Sequence, residues 1–268
     1  MDISGKTIVI TGGASGIGAA LARRAAGAGA KVCIADLNVD AAQALAAQIG
    51  GIAVSCDVTQ EPQIIAAIAA AEDAFGPVDV FVSNAGLGRG DPSHAASAPD
   101  ADWMLNWNVH VMAHVWAARA LLPAMIARGS GYFVNVASAA GLLNQIGDAA
   151  YSATKHAAVS FAESLLISHG RDGIGVSVVC PQYVATPLLG LGDGDAQGNL
   201  LTADDVARSV WQGVAEGTFV VLPHPDVAKY SALRGADPAR WITGMQMLRA
   251  KAMDEQGGIS VADFYKLV

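Results

Sequence analysis

The sequence contains only three cysteines, and no two of them have a CxxC spacing. Cys33, Cys56 and Cys180 each lie in an apolar run, which predicts reduced thiols inside a hydrophobic core. This distribution argues against a disulfide-stapled secreted domain. It also argues against a thiolate metal centre.

The chain also lacks a basic cluster and a long uninterrupted apolar run. Its formal net charge is -8, so a nucleic-acid partner is not expected. A membrane span needs roughly 18 to 20 consecutive apolar residues, and no stretch reaches that length. The chain opens with Asp2 and enters an apolar strand by Ile8, which leaves no room for a signal peptide. We therefore expect a cytoplasmic protein with neither a membrane nor a nucleic-acid partner.

What the sequence does have is a hydrophobic fraction of 53%, much of it in alanine-rich segments between short β-branched runs. A length of 268 residues suits a single α/β domain, residues 1–268, with a well-buried core. Strand and helix patterns alternate three times between Thr7 and Gly86. This alternation predicts a parallel sheet covered by helices on both faces.

A glycine-rich turn follows the first predicted strand. Thr7–Ile10 is a β-branched run, residues 11–18 read TGGASGIG, and an alanine-rich helix follows over Ala19–Ala28. Glycines at such a turn let backbone amides approach a diphosphate at the helix N-terminus. A GxxxxGK phosphate loop is excluded because Ala19 follows Gly18. Taken alone, the turn is also compatible with a plain tight connection.

Acidic residues end the second and third predicted strands. Asp36 closes the strand Lys31–Ala35, roughly 20 residues beyond the glycine-rich turn, where a carboxylate can accept hydrogen bonds from ribose hydroxyls. It would repel a 2'-phosphate, which favours NAD over NADP; the alternative is a residue that merely begins a turn. Asp57 follows the strand Ile52–Ser55 and either accepts a bond from an adenine amino group or caps the helix near Pro62.

A tyrosine and a lysine are predicted to lie one turn apart on a later helix. Tyr151 and Lys155 have the i, i+4 spacing, and Ser138, at the end of the strand Tyr132–Val136, lies thirteen residues earlier. A neighbouring ammonium lowers the pKa of a phenol and allows it to exchange a proton with an alcohol or ketone. The pair alone is also compatible with two unrelated side chains on an exposed helix.

Taken together and in order, these motifs resemble the short-chain dehydrogenase/reductase family over about residues 5 to 190. The matching features are TGGASGIG, Asp36, Asp57-Val58, SNAG at residues 83–86, Asn108, Ser138 and YSATK at residues 151–155. The resemblance implies a Rossmann-like doubly wound parallel sheet in three α/β/α layers. It also implies hydride transfer between NAD(H) and a secondary alcohol or ketone.

The resemblance implies a role for each catalytic residue. Tyr151 exchanges the proton, Ser138 holds the substrate oxygen, Lys155 lowers the pKa of Tyr151 and binds the nicotinamide ribose, and Asn108 relays the proton through water. The implied cofactor contacts are Gly12, Ser15, Gly16, Ile17, Gly18, Asp36, Asp57, Val58, Asn84, Ala85, Gly86, Tyr151, Lys155, Pro181, Val184 and Thr186.

Asn108 lies in a segment, Asp102–Leu122, that is predicted to form one long helix. His110 and His114 in this segment have the i, i+4 spacing of a metal-binding pair, but no acidic or cysteine partner stands nearby in the sequence. We therefore expect no metal site.

The chain departs from the family pattern in two places. Gln182 follows Pro181 where relatives usually have glycine, so the resemblance implies a longer side chain beside the nicotinamide end of the cofactor and makes Gln182 and Tyr183 candidates for substrate selection. The final segment, 223–268, is an atypical C-terminal extension in which Trp241, Met245 and Leu248 share one helical face. That face is expected to pack in the core, to roof the active site or to contact a second subunit. Four glycines within 187–202 suggest a mobile substrate loop.

The candidate substrate residues are Leu143, Gln145, Gln182, Tyr183, Leu188 and Trp241, with Leu142, Ile146, Leu189 and Met245 as further candidates for the wall. Most are apolar, which suggests an uncharged alcohol or ketone with a hydrophobic or aromatic body. Arg89 is a candidate carboxylate clamp or an ordinary loop residue.

Two other functions are compatible with the motifs. One is a sensor or structural subunit that binds NAD(H) without turnover, although such a protein has no need for all four catalytic residues. The other is a nucleotide-sugar epimerase or dehydratase, which would need a larger C-terminal domain than the residues after Thr186 provide. A homodimer or homotetramer is expected from the resemblance.

Overall fold

A parallel sheet forms the centre of the computed structural model, which describes residues 1–267 and their side chains except those of Asp193 and Gln256. Its seven strands have the order β3-β2-β1-β4-β5-β6-β9. The strands are β1 (Thr7–Thr11), β2 (Lys31–Asp36), β3 (Ile52–Ser55), β4 (Val80–Ser83), β5 (Gly131–Val136), β6 (Ile174–Val179), β7 (Val184–Ala185), β8 (Leu201–Thr202) and β9 (Val220–Val221). Strands β7 and β8 pair separately in a small parallel ribbon.

Helices cover both faces of the sheet, as predicted. They are α1 (Gly16–Gly27), α2 (Val39–Ile49), α3 (Glu61–Phe75), α4 (Asp100–Trp107), α5 (Ala113–Ala127), α6 (Ala149–His169), α7 (Ala203–Glu216), α8 (Asp226–Ala236) and α9 (Pro238–Gln256). One core cluster lies between the sheet and α1, α2 and α7, and another lies between the sheet and α3, α5 and α6. The three-layer α/β/α architecture is therefore confirmed.

The central strands are buried on both faces because each face is covered. Ile8 and Ile10 of β1 point into the first cluster, whereas Val9 between them points into the second. This alternation follows from the two-residue period of a strand. It explains why β1 reads as a continuous apolar run rather than as an alternating one.

The direction of the strand order reverses between β1 and β4. From β1 the chain proceeds outward to β2 and β3, then returns to place β4 on the other side of β1. Ligands of open parallel sheets bind outside the carboxyl ends of the strands at such a point. The loops after Thr11 and Ser83 therefore border the expected binding cleft.

The long helix predicted over Asp102–Leu122 is interrupted. A π-helical turn, Asn108–Met112, separates α4 from α5, and the amide of Ala113 bonds the carbonyl of Asn108. Such turns in an α-helix are often found at functional sites. The whole stretch Asp100–Ala127 is long and apolar enough to cross a membrane by length and composition, but half of its most apolar window is buried in the fold.

The segments after β6 contain more regular structure than the sequence suggested. Residues 187–202 include short 3-10 turns at Pro187–Leu189 and Asp193–Asp195, followed by β8. Thr202 caps α7, and the Asp205 carboxylate accepts bonds back from the backbone and hydroxyl of Thr202. Within the extension, a 3-10 helix over Val261–Lys266 follows α9.

Candidate active site

A cleft of about 520 Å³ opens at the reversal point of the strand order. Its floor is the glycine-rich turn, in which Gly12 and Gly16 have positive φ angles of 61° and 49°. Ser15 precedes α1, and its side chain makes no capping bond, so it leaves the first amides of the helix directed at the cleft. This floor has the form expected of a diphosphate site.

Close packing holds the glycine-rich turn against the loop after β4. A β-carbon built on Gly12 would lie 2.8 Å from the Ala85 α-carbon, and one built on Gly18 would overlap the Gly12 carbonyl oxygen. The Asn84 side chain donates to the carbonyls of Thr11 and Gly12 at 2.9 and 3.1 Å. Gly18 therefore supports the turn from behind and does not line the cleft.

Asp36 lies at the edge of the cleft where β2 ends. One carboxylate oxygen accepts from the Ala14 amide at 2.9 Å, and the other accepts from the Asn38 amide at the same distance. Each carboxylate oxygen has a second lone pair, so the group can still accept hydroxyl donors. The exposed Leu37 beside it also lines the cleft.

The structure corrects the capping interpretation of Asp57 and does not place its side chain in the cleft lining. Its carboxylate accepts from the amide and hydroxyl of Thr59 at 2.9 and 2.7 Å, which closes a local turn. Gln60, not Asp57, is the residue that precedes α3. The cleft wall at this point consists of Cys56 and Val58, because adjacent residues of an extended segment point in opposite directions.

Three of the four predicted catalytic residues meet at one end of the cleft. Tyr151 and Lys155 share a face of α6, with the Lys155 ammonium 5.5 Å from the centre of the Tyr151 ring. The ammonium donates to the Val136 carbonyl at 3.1 Å. Ser138, at the end of β5, accepts from the Ala140 amide at 3.1 Å and lines the cleft beside them.

Burial dominates the ionisation of this group. It raises the pKa of the Tyr151 phenol above its usual value, although the neighbouring Ser138 hydroxyl opposes that shift. It also lowers the pKa of Lys155 to about 8. The lowering of the phenol pKa expected from Lys155 is not found, because burial sets the direction of the shift and the opposing effect comes from the Ser138 hydroxyl.

The structure does not bring the fourth residue, Asn108, into this group. Asn108 is half-buried at the start of the π-helical turn, and its side chain has no hydrogen-bond partner within the described part of the chain. His110 contacts the site instead: its ring lies edge-on to the Tyr151 ring, with centroids 5.3 Å apart. Residues two positions apart on a helix point to roughly opposite sides, so Asn108 and His110 cannot share this role.

His110 and His114 do not form a metal pair with a third ligand. No group of three or more histidine, cysteine, aspartate or glutamate side chains close enough to hold a metal is found among the described residues. Burial lowers the pKa of His114 to about 3, and both of its ring nitrogens lack a partner among those residues.

Most of the remaining predicted residues line the cleft. On the cofactor side these are Gly12, Ser15, Gly16, Ile17, Asp36, Val58, Asn84, Ala85, Gly86, Pro181, Val184 and Thr186, and on the substrate side Gln145, Gln182, Tyr183, Leu188 and Leu189. The Tyr183 hydroxyl donates to the Gln145 amide oxygen at 3.4 Å, and burial raises the pKa of Tyr183 to about 12. This end of the cleft therefore carries a neutral polar pair.

Several predicted substrate residues lie elsewhere. Leu143 is buried with Ala139 and Val227, and Trp241 packs on that small cluster and on Tyr230. The lining of the cleft likewise excludes Leu142, Ile146, Arg89 and Met245. Trp241, Met245 and Leu248 are the less exposed residues of this part of α9, as predicted, but Trp241 packs on the cluster around Val227 rather than over the active site.

Sequence reasoning missed the segment that does cover the substrate end. Val261 and Ala262 line the cleft, Phe264 beside them is buried, and the Tyr265 ring lies 6.4 Å from the Tyr183 ring. Asp148, which caps α6 by accepting from the Tyr151 amide at 3.0 Å, also lines this end. The cap position of Asp148 was visible in the sequence, whereas no local pattern marks Val261.

Comparison with known proteins gives consistent matches over most of the chain. A family described as short chain dehydrogenase matches residues 6–192. The chain is 34% identical to 1-deoxy-11-beta-hydroxypentalenate dehydrogenase from Streptomyces exfoliatus, over 84% of this chain and 86% of that protein. It is 32% identical to (+)-borneol dehydrogenase 2 from Salvia officinalis, over 92% and 89% of the two chains.

A solved structure shares the fold. It is a short chain dehydrogenase/reductase from Burkholderia phymatum in complex with NAD, with a TM-score of 0.80 and 30% identity, covering 88% of this chain and 95% of that one.

Proposed function

Because the chain belongs to the short-chain dehydrogenase family, we propose that it is an NAD-dependent dehydrogenase of uncharged secondary alcohols, or a reductase of the corresponding ketones. It is an oxidoreductase that uses a nicotinamide cofactor and acts on hydroxyl or ketone substrates. The observation that carries the proposal is the convergence of Ser138, Tyr151 and Lys155 at the end of a cleft that begins at the glycine-rich turn.

The cleft has residues suited to each part of a nicotinamide dinucleotide. The glycine-rich turn and the amides at the start of α1 would hold the diphosphate, and Asp36 would accept from the adenosine ribose. Lys155, Val184 and Thr186 line the opposite end and would hold the nicotinamide riboside. When bound, the cofactor supplies hydride donation and acceptance.

The protein supplies proton transfer at the substrate oxygen. Ser138 places a hydroxyl beside that oxygen, and the Tyr151 phenol gives a proton to a carbonyl or takes one from an alcohol. Burial keeps the phenol protonated at neutral pH, which suits ketone reduction. Alcohol oxidation needs the phenolate, so its rate should rise as the pH is raised and the rate of reduction should fall.

The residues around Asp36 support NAD rather than NADP. Within the described chain, Lys155 is the sole lysine or arginine in the cleft lining, and it lies against β5, three strands from β2. A 2'-phosphate at the adenosine end would therefore meet the Asp36 carboxylate with no compensating cation.

This preference can be tested at Asp36. The unmodified protein should use NAD much better than NADP, and Asp36→Ser should reduce the ratio of the two kcat/KM values by roughly ten-fold or more, since one like-charge contact is removed. Equal use of both cofactors by the unmodified protein would refute the assignment.

The substrate end supports an uncharged substrate with an apolar body. Leu188, Val261 and Ala262 offer apolar contacts, and the Gln145–Tyr183 pair offers one neutral polar contact. The buried carboxylate of Asp148 disfavours an anionic group nearby. The two curated relatives named above are dehydrogenases, which supports a catalytic protein rather than a non-catalytic NAD(H)-binding subunit.

The proposed activity is tested by following NADH absorbance with a panel of aliphatic, cyclic, benzylic and polyol alcohols, borneol included. Turnover should be greatest with cyclic apolar alcohols. Tyr151→Phe should lower kcat by roughly 10²- to 10⁴-fold and leave NADH binding within about two-fold, since it removes only the transferable proton. Near-normal turnover by this variant would refute the proton path, and tight NADH binding without turnover on any alcohol or ketone would favour the non-catalytic alternative.

A further inference from the structure

Two buried histidines lie one helical turn apart beside the active site, but only one of them is bonded. His110 and His114 are both at most 2% exposed. His114 has no partner for either ring nitrogen among the described residues, whereas His110 has a partner for each. His110 is therefore tied by hydrogen bonds to two other segments of the chain, whereas no such bond ties His114 within the described residues.

The bonds of His110 determine its tautomer. Its Nε2 atom accepts from the Leu87 amide at 3.2 Å, so this nitrogen carries no proton. Its Nδ1 atom lies 3.0 Å from the Thr154 hydroxyl, whose own proton is directed to the carbonyl of Ala150 or Tyr151. The hydroxyl must then accept, so Nδ1 donates and the imidazole is neutral with its proton on Nδ1.

These two bonds connect the cleft wall to the catalytic helix. Leu87 lies in the loop after β4 and lines the cleft, and Thr154 lies on α6 between the catalytic residues Tyr151 and Lys155. The edge-on contact with Tyr151 adds a third point of attachment. The side chains of His110 and Lys155 both lie close to the backbone of Gly86. A β-carbon built on Gly86 would be 3.8 Å from the His110 Nε2 and 3.8 Å from the Lys155 ammonium.

We propose that His110 is the residue that positions Tyr151 and Lys155, by joining the loop after β4 to α6 through a neutral imidazole with its proton on Nδ1. This inference rests on the proposed function, because Tyr151 is the proton carrier there. His110 acts through Tyr151 and Lys155 rather than on the substrate.

The surroundings of the ring maintain its neutral form. Burial lowers the pKa of His110 well below the ordinary value for histidine, and the Lys155 charge acts in the same direction. A protonated imidazole would also lose the bond from the Leu87 amide, because Nε2 would become a donor. The ring is therefore suited to hold its neighbours and unsuited to take up the reaction proton.

Removing both bonds should misplace the phenol without changing the cofactor floor. His110→Leu should lower kcat by roughly 10- to 100-fold, as expected for a displacement of about 1 Å, and the KM for NAD should change by a smaller factor because the contacts at the glycine-rich turn and Asp36 remain. His110→Gln retains an acceptor for the Leu87 amide and should recover part of the loss. Thr154→Val removes the partner of Nδ1 and should lower kcat by a smaller factor.

His114→Leu is the matched control, since it makes the same change one turn away at a histidine without partners among the described residues. It should leave kcat and both KM values within about two-fold of the unmodified protein. Long-range ¹H–¹⁵N spectra of histidine-labelled protein report the tautomer directly and need no substrate. They should show His110 neutral with the proton on Nδ1.

The outcomes separate this inference from the proposed function. If the unmodified protein turns over an alcohol and the Leu variants at His110 and His114 have the same kcat, the positioning role is refuted. Should His110→Leu fail to fold, unchanged kcat in both His110→Gln and Thr154→Val refutes that role equally. A proton on Nε2 would refute the hydrogen bonds proposed for His110. Absence of any turnover by the unmodified protein would refute the proposed function. In that case the tautomer spectra would still test the hydrogen bonds of His110.

Discussion

The two halves of the cleft are assembled from different kinds of sequence. The cofactor half comes from short continuous stretches at the ends of neighbouring strands, such as the glycine-rich turn, Asp36 and residues 84–86. The substrate half joins residues far apart in the chain, among them Gln145, Tyr183 and Val261. Parallel strand ends converge by topology, whereas Val261 reaches the cleft only because the extension folds back onto it.

The difference is also one of packing. A β-carbon on Gly12 or Gly18 would meet backbone atoms that cannot move aside, whereas one on Gly90 or Gly147, which line the substrate half, would meet the side chains of Asp148 and Ile259. The cofactor half is thus fixed by backbone contacts, and the substrate half by side chains. Substitutions should therefore affect the two halves separately.

Among the substitutions that distinguish the two halves, the largest effect is expected at Lys155, where the halves meet. Lys155→Met should lower kcat by roughly 10²-fold or more, since it removes the charge beside Tyr151, and should also stabilise the protein at neutral pH. In the folded protein the pKa of Lys155 is about 8, against an ordinary 10.5. Burying the charge therefore lowers the free energy of unfolding by roughly 3 kcal/mol. The hydrogen bond to the Val136 carbonyl offsets part of this cost.

The pH dependence of this gain has a definite sign. Below pH 8 the lysine is protonated in both the folded and unfolded states, and the full penalty is present. Between pH 8 and 10.5 the folded state has released the proton and the unfolded state has not, so the stability of the unmodified protein rises with pH relative to the variant. Urea unfolding at pH 7 should show that Lys155→Met raises the free energy of unfolding by roughly 1–3 kcal/mol. This gain should disappear by about pH 10.5. An equal gain at both pH values would contradict the assignment of the cost to the buried charge.

A more local effect is expected at Gly18, in the cofactor half. Gly18→Ala places a methyl group against the Gly12 carbonyl oxygen and the Asn84 side chain, so the turn must shift. Overpacking of this kind costs roughly 1–3 kcal/mol, which corresponds to about 5- to 150-fold weaker NADH binding if the strain falls on the bound geometry. The KM for the alcohol should change little, as measured under saturating NAD.

Gly27→Ala is the matched control for Gly18→Ala. Gly27 ends the same helix, its φ angle is negative, and nothing lies within 4 Å of an added β-carbon. This variant should bind NADH normally and should be no less stable than the unmodified protein. Equal NADH affinity for the two variants would show that the turn does not depend on close packing behind it.

The same contrast explains what could be predicted from the sequence. The parallel sheet, the glycine-rich turn, Asp36, Ser138 and the Tyr151–Lys155 pair follow from periodicity and from local motifs with a chemical reason. Asn108 follows from the family resemblance, whereas no local pattern indicates that His110 contacts Tyr151, because that contact and the π-helical turn are tertiary results. Likewise, a large apolar side chain such as Trp241 is a natural but wrong candidate for the cleft wall.

The position of Trp241 depends on where the extension turns. The sequence predicts correctly that Trp241 lies on the less exposed face of α9, but Trp241 packs against the cluster around Val227 and not against the cleft. The chain then continues past Gly257 and returns to the cleft with the small side chains of Val261 and Ala262. Neither residue carries a local signal, because apolar side chains of ordinary size occur throughout the chain.

The smallest effect is expected at Val261, in the substrate half. Val261→Ala removes two methyl groups from the cleft wall, worth roughly 0.5–1.5 kcal/mol of contact, so the KM for a cyclic apolar alcohol should rise by about 2- to 10-fold. The KM for NAD should not change, because the final residues of the extension contact Gly147 and Tyr183, which lie at the substrate end. Met247→Ala, at an exposed position of α9 in the same extension, is the control and should alter neither KM. A rise in the KM for NAD alone would mean that the extension belongs to the cofactor half, and the division of the cleft into two separately assembled halves would not hold.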